Sequence, residues 1–416
     1  MPYTIKDISL AEQGSRNIEW AEKQMGALIK VRERFERERP LDGYRIGMAL
    51  HITKETAVLV RTFRAGGAEV AIASCNPLST QDDVAAGLAS EGVSVYGYKG
   101  ESRDEYYRFI REVIAFHPHV TIDDGCDLVT EVHLHYPEQI PEIVCGCEET
   151  TTGVIRLRAM EREGVLKYPI IAVNDCATKH LMDNYYGTGQ STLDGIIRAS
   201  NVLISGRTLV IAGYGNCGKG VAMRAKGLGA NIIVTEVNPF NALQATMDGF
   251  RVMPMREAAK EGDIFVTVTG DCRVVTTDHI ALMKDGVILA NAGHFNNEID
   301  VTGLERIAST KREIRPLFVE YRVDGKSVYL CGEGRLVNLA CAEGHPSTVM
   351  AMSFCDQALG VEYGVTHRKD LGPKVYRLPD EIDEHVARLQ LEAMGVEIDE
   401  LTPEQRKYLN SWSEGT

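Results

Sequence analysis

Residues 207–236 read RTLVIAGYGNCGKGVAMRAKGLGANIIVTE. The apolar run 209–212 enters the turn Gly213-x-Gly215-x-x-Gly218, a helical stretch of small residues follows, and a second apolar run at 232–234 stops at Glu236. The glycines allow a tight turn in which backbone N–H groups approach a pyrophosphate at a helix N-terminus. This order of elements predicts a βαβ unit that binds a dinucleotide.

Glu236 indicates which dinucleotide is bound. It lies 236 − 213 = 23 residues beyond the first glycine, where an acidic side chain can bind the adenosine ribose hydroxyls. Its carboxylate would repel a 2′-phosphate, and no Arg or Lys follows within several residues, so the predicted cofactor is NAD rather than NADP. The main alternative is a phosphate-binding P-loop, because residues 213–219 fit G-x-x-x-x-G-K. That motif next requires Ser or Thr, and position 220 is Gly.

The composition is that of an ordinary globular protein and limits the partners. The chain has 416 residues, enough for two domains, of which 44% are hydrophobic and 25% are charged. A net charge of −14 argues against nucleic acid or an anionic membrane as the partner. No window offers the roughly 18 apolar residues of a membrane span. The N-terminal sequence MPYTIKDISLAEQG lacks the regions of a signal peptide, so we expect a soluble protein.

The ten cysteines indicate a reducing compartment. They are scattered without the spacing of a disulfide or metal framework. Only Cys145-x-Cys147 is close, and no second ligand pair accompanies it. We therefore expect no bound metal and a cytoplasmic location.

Short apolar runs alternate with helical segments through the first half of the chain. Residues 15–39 are charged and helical in pattern, typical of a surface helix packed by one face. The apolar runs that follow are 45–50, 69–73, 93–98, 120–122, 143–145 and 170–173. Such alternation predicts a parallel sheet covered on both faces.

Polar side chains follow five of these runs. They are His51, Asn76, the pair Asp123-Asp124, the pair Glu148-Glu149, and Asn174-Asp175. After a single strand such a residue is only the start of a loop. Open α/β sheets, however, bind ligands beyond the carboxyl ends of their strands. Five strands that end in such groups predict a site at that edge.

A second unit contains the dinucleotide-binding stretch. Apolar runs at 263–269 and 286–291 extend its sheet, and the latter ends in a glycine-containing turn at 291–295, near the expected nicotinamide side of a cleft. We predict an α/β protein with two doubly wound parallel-sheet, Rossmann-like domains and a cleft between them. The predicted domains are 1–184 with 346–378, 185–345, and a short helical tail at 379–416 that lies at a subunit interface.

Lys179 and Asp183 lie between the two units, in Asn174-Asp175-x-x-x-Lys179-x-x-x-Asp183-Asn184. Four residues apart, they would share one helix face. An exposed ion pair of little consequence is the simplest interpretation. Their position after a strand end and before the cofactor unit favours a role in the cleft.

Together with the motifs above, these residues show that the chain resembles the S-adenosyl-L-homocysteine hydrolase family across essentially its whole length. Many ordered blocks over some 300 residues are more specific than any single motif. The matching stretches are 51–56, 76–83, 123–125, 148–153, 174–184, 213–220, 291–295, 335–339 and 344–346.

The resemblance implies reversible cleavage of S-adenosylhomocysteine to adenosine and L-homocysteine, with a tightly bound NAD that is not consumed. A thioether at C5′ is a poor target for direct attack by water. Oxidation of the 3′-hydroxyl to a ketone acidifies the C4′ proton, so that homocysteine can leave by elimination. Water then adds to the conjugated enone and the ketone is reduced again. The protein places the groups, tunes acids and bases, and excludes water from the keto intermediate.

The resemblance assigns catalytic roles residue by residue. Lys179 and Asp183 correspond to the pair that handles the 3′-hydroxyl proton, and Asn184 orients Lys179. To act as a base, Lys179 needs a lowered pKa, which we expect burial beside NAD to supply. Asp124 corresponds to the base for the C4′ proton. His51, with Asp124, corresponds to the acid–base group that serves the leaving thiol and the incoming water.

Other matching positions bind the substrate or the cofactor, or form the gate of the access channel. Glu149 corresponds to a ligand of the ribose hydroxyls. The purine contacts are Thr53, Glu55 and His345, and the gate is formed by His294 with Phe295. The implied NAD contacts are Thr150, Thr151, Thr152, Gly213, Gly215, Gly218, Glu236, Asn241, Ala292 and Asn338.

The chain departs from the family pattern at two places. Many members carry Cys near the substrate sugar where this chain has Thr188. Members with a longer C-terminus reach a Lys and a Tyr into a neighbouring subunit's NAD site, whereas this sequence stops at residues 412–416, WSEGT. We expect NAD to be held less tightly or by other contacts, in the homotetramer typical of the family.

Three alternatives remain open at this point. An NAD-dependent 2-hydroxyacid dehydrogenase would need an Arg to clamp a carboxylate and a His–acid pair near the cofactor, whereas here the acid–base groups concentrate in the first domain. A catalytically silent, NAD-bound regulator should have lost one of His51, Asp124, Lys179 and Asp183, and all four are present. An S-inosyl-L-homocysteine substrate presents a carbonyl where adenine has an amino group, and Glu55 as an acceptor favours the amino group.

Overall fold

The first sheet has eight strands, all parallel, in the computed structural model, which describes residues 2–413. The last three residues of the C-terminal stretch WSEGT, 414–416, lie outside the described residues. The strands are β1 Tyr3–Thr4, β2 Arg45–Ala49, β3 Glu69–Ala73, β4 Ser94–Tyr96, β5 Val120–Asp123, β6 Cys145–Glu148, β7 Ile170–Ala172 and, late in the chain, β16 Val375–Tyr376. Their order is β1-β4-β3-β2-β5-β6-β7-β16. Strands β2 to β7 are almost entirely buried, as expected for a sheet covered on both faces.

Helices from both ends of the chain cover this sheet. They are α1 Ala11–Glu22, α2 Gly26–Glu38, α3 Lys54–Ala65, α4 Asp82–Ser90, α5 Arg103–Ile114, α6 Asp127–His135, α7 Thr151–Arg162, α8 Ala177–His180, α16 Ser347–Thr366 and α17 Asp380–Ala393. The chain returns from the second unit through α16, which packs on α2, α3 and β6. Strand β16 then pairs with β7.

The second sheet also has eight strands. They are β8 Thr208–Ala212, β9 Asn231–Thr235, β10 Arg251–Val252, β11 Ile264–Thr267, β12 Val287–Asn291, β13 Thr310–Arg315, β14 Phe318–Val323 and β15 Lys326–Cys331. Their order is β10-β9-β8-β11-β12-β15-β14-β13, and only the last two pairings are antiparallel. The sheet is therefore mixed at one edge, where the sequence predicted parallel strands throughout.

Seven helices accompany the second sheet and one ends the described chain. They are α9 Thr188–Ser200, α10 Asn216–Gly227, α11 Pro239–Met247, α12 Met255–Glu261, α13 Thr277–Leu282, α14 Val301–Ile307, α15 Val337–Ala340 and the terminal α18 Pro403–Leu409. Helix α18 opens with a capping box formed by Thr402 and Gln405. Across residues 2–413 we find no helix with the length and apolar character needed to span a bilayer.

In the centre of each sheet the direction of strand ordering reverses, and both of these reversals matter for the site. In the first sheet the reversal falls between β2 and β5, which are followed by His51 and Asp124. In the second it falls between β8 and β11, and β8 is followed by Gly213. Open α/β sheets bind ligands in the crevice at such a switch point. The topology thus supplies two crevices, one in each unit.

Several boundaries differ from the sequence prediction. Residues 15–39 form parts of two helices, α1 and α2, broken at residues 23–25. Strand β6 begins at Cys145 rather than at 143, because a 3₁₀ helix at Pro137–Glu142 precedes it. Helix α17 is not part of a separate tail. It packs on α2, α8 and α16 and buries Asp383, Val386 and Gln390, so the predicted tail shrinks to the residues after α17.

Helix α10 passes very close to the segment that follows Lys179. A Cβ on Gly220 would lie 1.9 Å from the carbonyl oxygen of Tyr185. A Cβ on Gly227, in the last turn of the same helix, would have no atom within 4 Å. We expect Gly220→Ala to reduce the free energy of unfolding by about 1–3 kcal/mol through overpacking. Gly227→Ala should instead leave it unchanged or raise it by up to about 1 kcal/mol. Denaturant unfolding of both variants tests this, and equal stabilities would contradict the close approach.

Candidate active site

The carboxyl ends of the two sheets open into one cavity of about 1470 Å³. Every residue to which the resemblance assigns a role lines it except Gly218, which lies at the glycine turn, and Phe295, which packs against His294. From the first unit these are Thr53, Glu55, His51, Asp124, Glu149, Thr150, Thr151, Thr152, Lys179, Asp183 and Asn184. From the second they are Gly213, Gly215, Glu236, Asn241, Ala292, His294, Asn338 and His345.

One group of the cavity is a His–Asp–His triad drawn from three strand ends. His51 Nε2 lies 3.3 Å from one carboxylate oxygen of Asp124, and His294 Nδ1 lies 3.4 Å from the other. His51 Nδ1 contacts Ser79 Oγ at 2.7 Å. Burial lowers the pKa of His51 to about 4, although the nearby Asp124 carboxylate opposes the shift. A neutral imidazole that contacts a carboxylate is suited to accept and return a proton.

Gly125 explains how His294 from the second unit reaches this triad. A Cβ at position 125 would lie 2.3 Å from His294 Nε2, and the φ of Gly125 is +109°. Both features demand glycine. The His294 ring also packs edge-on against Phe295, with ring centroids 4.7 Å apart. The pair predicted to form the gate therefore lies directly on the loop that carries Asp124.

The triad also has the spacing of a metal site. Ligand atoms of His51, Asp124 and His294 all lie within 4.8 Å of one another. The expectation that no metal is bound was based on the spacing of the cysteines. That spacing cannot reveal a cluster of histidine and aspartate side chains. Its members come from three distant parts of the chain, so no local motif marks them.

The loop that carries Asp124 is held by a buried carboxyl group. Glu148 Oε1 accepts hydrogen bonds from the backbone N–H of Gly125 at 2.8 Å and of Thr150 at 3.1 Å. Burial raises the pKa of Glu148 well above its usual range, with the neighbouring acids Asp123 and Asp124 adding to the effect. Glu148 thus ties the Asp124 loop to the threonines at the start of α7.

A second group surrounds the Lys179 ammonium. Its Nζ lies 2.8 Å from Asp183 Oδ2, 2.8 Å from Asn184 Oδ1 and 3.8 Å from Glu149 Oε1. The predicted contact between Lys179 and Asp183 is present. The two residues do not lie on one continuous helix, however, because α8 ends at His180 and a π-helical turn spans Asp183–Gly187. Such π turns are frequent at functional sites.

The protonation of Lys179 differs from the expectation. Burial does act to lower its pKa, but the carboxylates of Asp183 and Glu149 outweigh burial and leave the pKa raised. The pKa of Asp183 is in turn lowered. Burial alone would raise this pKa, but the interactions with Lys179 and His345 lower it by more. The chain alone therefore presents a buried ammonium–carboxylate pair, not the free amine expected from the sequence.

Glu149 faces Lys179 from a fixed position. Ser353 Oγ hydrogen-bonds its Oε1, and Gln357 Nε2 donates to its Oε2 at 2.6 Å. Burial raises the pKa of Glu149 to about 7, although Lys179 acts in the opposite direction. Sequence reasoning missed Ser353 and Gln357. They are buried polar residues within a largely apolar stretch of α16, and that pattern was the available signal.

A third group lies at the purine side predicted from the sequence. Glu55 is buried, and its Oε1 accepts a hydrogen bond from Ser347 Oγ at 2.6 Å and lies 3.4 Å from Lys54 Nζ. Thr53 caps α3 by accepting from the backbone N–H of Thr56. These contacts leave the second oxygen of the Glu55 carboxylate as an acceptor toward the cavity.

His345 connects this side of the cavity to the Lys179 group. Its Nδ1 contacts the carboxylate of Asp183, and its Nε2 lies 3.2 Å from Asn338 Nδ2 and 3.3 Å from Thr188 Oγ1. Thr188, where many family members have Cys, is therefore part of the network. A thiol is nevertheless close, because Cys217 also lines the cavity and interacts with Thr188.

The glycine turn has the geometry of a dinucleotide cradle. Gly213 has a φ of +101°, and a Cβ on Gly218 would lie 2.0 Å from the Gly213 carbonyl oxygen. Nothing lies within 4 Å of a Cβ placed on Gly215, which faces the cavity at the start of α10. The three glycines thus serve the turn, the space for a pyrophosphate and the helix–strand packing.

The remaining cofactor candidates border this cradle. Glu236 accepts the N–H of Tyr214 at 2.7 Å, so its carboxylate reaches back to the glycine turn, and Asn241 Nδ2 lies 3.4 Å from it. At the opposite wall, Thr151 Oγ1 donates to Asn174 Oδ1 at 3.1 Å. Ala292 follows β12 and donates its N–H to Thr267 at 2.8 Å. The residues present fit a dinucleotide laid across the carboxyl ends of the second sheet.

Fold and cavity together define an NAD-binding α/β enzyme with acid–base groups opposite its cofactor cradle. The family described as S-adenosyl-L-homocysteine hydrolase matches residues 2–145, and its NAD-binding domain matches residues 184–344. The chain belongs to the S-adenosyl-L-homocysteine hydrolase family.

Curated relatives match the chain over its whole length. It is 59% identical to an adenosylhomocysteinase of Aquifex aeolicus and 58% identical to one of Sulfolobus acidocaldarius, in each case over 100% of both chains. It is 57% identical to an S-inosyl-L-homocysteine hydrolase of Methanocaldococcus jannaschii, again over 100% of both. Among solved structures, a dipicolinate synthase chain of Bacillus halodurans matches 78% of this chain and 99% of its own, at a TM-score of 0.50 and 13% identity, which shows the fold alone.

The pKa of His51 gives a test of the triad. We expect the ring signals of His51, assigned with a His51→Asn variant, to titrate near pH 4 in NMR spectra of the protein. Because the unfolded histidine binds its proton near 6.5, His51 should stabilise the fold fully above that pH and progressively less as the pH falls towards 4. A His51 that titrates near 6.5 would contradict the buried, neutral imidazole.

Proposed function

We propose that this chain catalyses the reversible hydrolysis of S-adenosyl-L-homocysteine to adenosine and L-homocysteine, using NAD that stays bound through the turnover. The observation that carries the proposal is one cavity with two separate proton-transfer groups opposite a dinucleotide cradle. The Lys179–Asp183 pair is one group, and the His51–Asp124–His294 triad is the other. A reaction that oxidises one sugar carbon and deprotonates its neighbour needs both groups.

The two units have different roles in the proposed reaction. We assign residues 1–184 and 346–378 to the substrate and 185–345 to NAD, and α17 joins the first unit. The cofactor would be held by the Gly213–Gly218 turn, by Glu236 at the adenosine ribose, and by Thr150–Thr152, Asn241, Ala292 and Asn338 along the cleft. Bound there, NAD would supply reversible hydride transfer at C3′, so that no net oxidation would result.

Lys179, Asp183 and Asn184 act at the 3′-hydroxyl. Since Lys179 is an ammonium, it cannot itself accept the hydroxyl proton, and the Asp183 carboxylate paired with it is the group that takes the proton up. Glu149, fixed by Ser353 and Gln357, is placed to bind the ribose hydroxyls. Once the 3′ carbon is a ketone, the C4′–H bond is acidified.

Asp124 and His51 act at C4′ and C5′. Asp124 removes the C4′ proton, and the electron pair left on C4′ expels the homocysteine thiolate from C5′, which takes a proton from the neighbouring acid–base group. Water then adds at C5′ and a proton returns to C4′. The reduced 3′-hydroxyl is restored in the last step, so all atoms balance as addition of one water to the thioether.

The gate residues serve a separate need. A keto intermediate must be shielded from bulk water. His294 lies over Gly125, next to the base that the intermediate depends on, and Phe295 packs against the His294 ring. We assign both residues to the access channel, with His294 also in contact with Asp124.

Glu55 favours adenine over hypoxanthine. Its acceptor oxygens suit the exocyclic amino group of adenine, and the carbonyl of hypoxanthine would face a carboxylate instead. The relatives include both adenosyl- and S-inosyl-hydrolases at nearly equal identity, so identity alone does not separate the two purines. The charge at Glu55 therefore carries the adenosine assignment.

The other two functions lack supporting geometry. A 2-hydroxyacid dehydrogenase needs an arginine that clamps the substrate carboxylate. Within the described residues the cavity is lined by a single arginine, Arg377, whose side chain is 62% exposed at its edge. A silent regulator has no need for four intact acid–base residues arranged in two contacting groups.

We propose a cytoplasmic homotetramer. All ten cysteines are free, which suits a reducing compartment. Val237, Phe240, Leu243 and Met247 form an exposed apolar surface on and beside α11, which suits contact with another subunit. Sedimentation of the purified protein should give the mass of four chains, and a monomer at micromolar concentration would contradict the assembly.

The proposed reaction is tested in the synthetic direction. NAD-loaded protein is mixed with homocysteine and either adenosine or inosine, and thioether formation is followed by chromatography. We expect faster formation with adenosine and no net release of NADH. Equal or faster formation with inosine would contradict the adenosine assignment, and stoichiometric NADH release would support a dehydrogenase.

A Glu55→Gln variant tests the purine contact. The amide can donate to a carbonyl, so the ratio of adenosine to inosine activity should fall by about tenfold or more, as expected when a hydrogen-bonding group is mismatched. The ratio of kcat/KM values measures this. Glu343→Gln, which removes the other carboxylate paired with Lys54, is the matched control and should leave the ratio unchanged. An unchanged ratio in Glu55→Gln would place the purine elsewhere.

A further inference from the structure

Helix α8, which contains Lys179, is too short to be stable without contacts from the rest of the protein. It has four residues, and its N-cap residue Cys176 makes no side-chain capping bond. Isolated helices of this length have no stability in water. The first N–H groups of a helix need acceptors when they are buried. Something outside α8 must therefore supply them.

Asp383 supplies those acceptors from about 200 residues further along the chain. One of its carboxylate oxygens accepts the N–H of Ala177, and the other accepts the N–H of Thr178 at 3.0 Å. Asp383 is buried on the face of α17 that packs on α8. A carboxylate at this end of a helix also complements the helix dipole.

Thr178 links Asp383 to a second buried acid. Its Oγ1 lies 2.8 Å from Asp356 Oδ2 and also contacts Asp383 Oδ1. A hydroxyl has one proton to donate, so it cannot satisfy two carboxylates at once. Asp383 already accepts two backbone N–H bonds, whereas Asp356 is fully buried and has only the Thr178 hydroxyl beside its Oδ2. Asp356 is therefore the protonated partner, and burial raises its pKa well above the usual range.

The same face of α16 supports both sides of the Lys179 ammonium. Asp356 contacts Thr178, next to Lys179, while Ser353 and Gln357 hold the Glu149 carboxylate. Positions 353, 356 and 357 are neighbours on one helical face. Helices α16 and α17 thus support the Lys179 segment through side chains that do not line the cavity.

We propose that Asp383 is a positioning residue for Lys179. Asp383 caps α8 and, through the hydrogen-bonded chain Asp356–Thr178–Asp383, fixes the position of the Lys179 ammonium in the cleft. The inference rests on the proposed role of Lys179 at the 3′-hydroxyl. Neither Asp383 nor Asp356 touches the cavity. The C-terminal segment after residue 379 is then a working part of the substrate unit.

Graded variants of Asp383 test the proposal. Asp383→Asn keeps one acceptor and Asp383→Ala keeps none, so hydrogen exchange of the peptide that contains Ala177 and Thr178 should accelerate in that order in the protein without added cofactor. The single-turnover rate of 3′-oxidation should fall by up to about 100-fold, as for misplacement of a catalytic group by about 1 Å. Adenosine affinity should change little, and the pH profile of the step should shift.

Three companion variants separate positioning from general destabilisation. Glu384→Gln, at an exposed position of the same helix, should match the wild type. Thr178→Ser keeps the hydroxyl and should retain the rate, whereas Thr178→Val should lose it. Asp356→Asn replaces a neutral donor by another, so it should retain most of the rate, and a loss as large as that of Asp383→Asn would overturn the protonated Asp356.

The proposal is overturned if Asp383→Asn and Asp383→Ala leave the exchange of 177–178 and the rate per folded molecule equal to those of Glu384→Gln. It is also overturned if the rate falls only in proportion to the unfolded fraction and the pH profile stays fixed. If the wild-type protein shows no reaction with adenosine or inosine, the proposed function fails. The exchange data would still decide whether Asp383 caps α8.

Discussion

The site depends on one buried ammonium ion. Lys179 is only 4% exposed, and a charge so placed is costly unless it is paired and hydrogen-bonded. Asp183, Asn184 and Glu149 meet that requirement on the cavity side. Two of these partners are held in turn, Asp183 by His345 and Glu149 by α16. Removal of one partner would leave an unpaired buried charge, so the whole set has to be assembled together.

This requirement also connects the two units. His345 follows the second sheet and yet contacts Asp183 of the first unit, and His294 crosses in the same way to Asp124. Gly125 permits the approach of His294, because any side chain at this position would collide with the His294 ring. The acid–base groups therefore reach their arrangement only when both units are in contact. That is a suitable design for chemistry in which a reactive ketone must be kept from water.

Sequence predicted the parts of this arrangement that are local. The glycine turn, the acid at 236 and the polar residues after each strand follow from spacing, and the structure brings most of them to one cavity. Sequence could not give the Lys179 pKa, which depends on distances to two carboxylates, or the support from Ser353, Gln357 and Asp383, which lie far along the chain. The antiparallel edge was missed although Asp324-Gly325 between β14 and β15 is a hairpin signal, with φ values of +49° and +82°.

The proposed mechanism requires Asp124 to remove a proton from C4′ of a substrate oxidised at C3′. Incubation of NAD-loaded protein with adenosine in deuterium oxide, followed by NMR, measures this directly. We expect the C4′ proton of adenosine to be replaced by deuterium with the wild-type protein and to be retained with Asp124→Asn. Thioether formation from adenosine and homocysteine without C4′ exchange would indicate direct displacement at C5′ and rule out this role of Asp124.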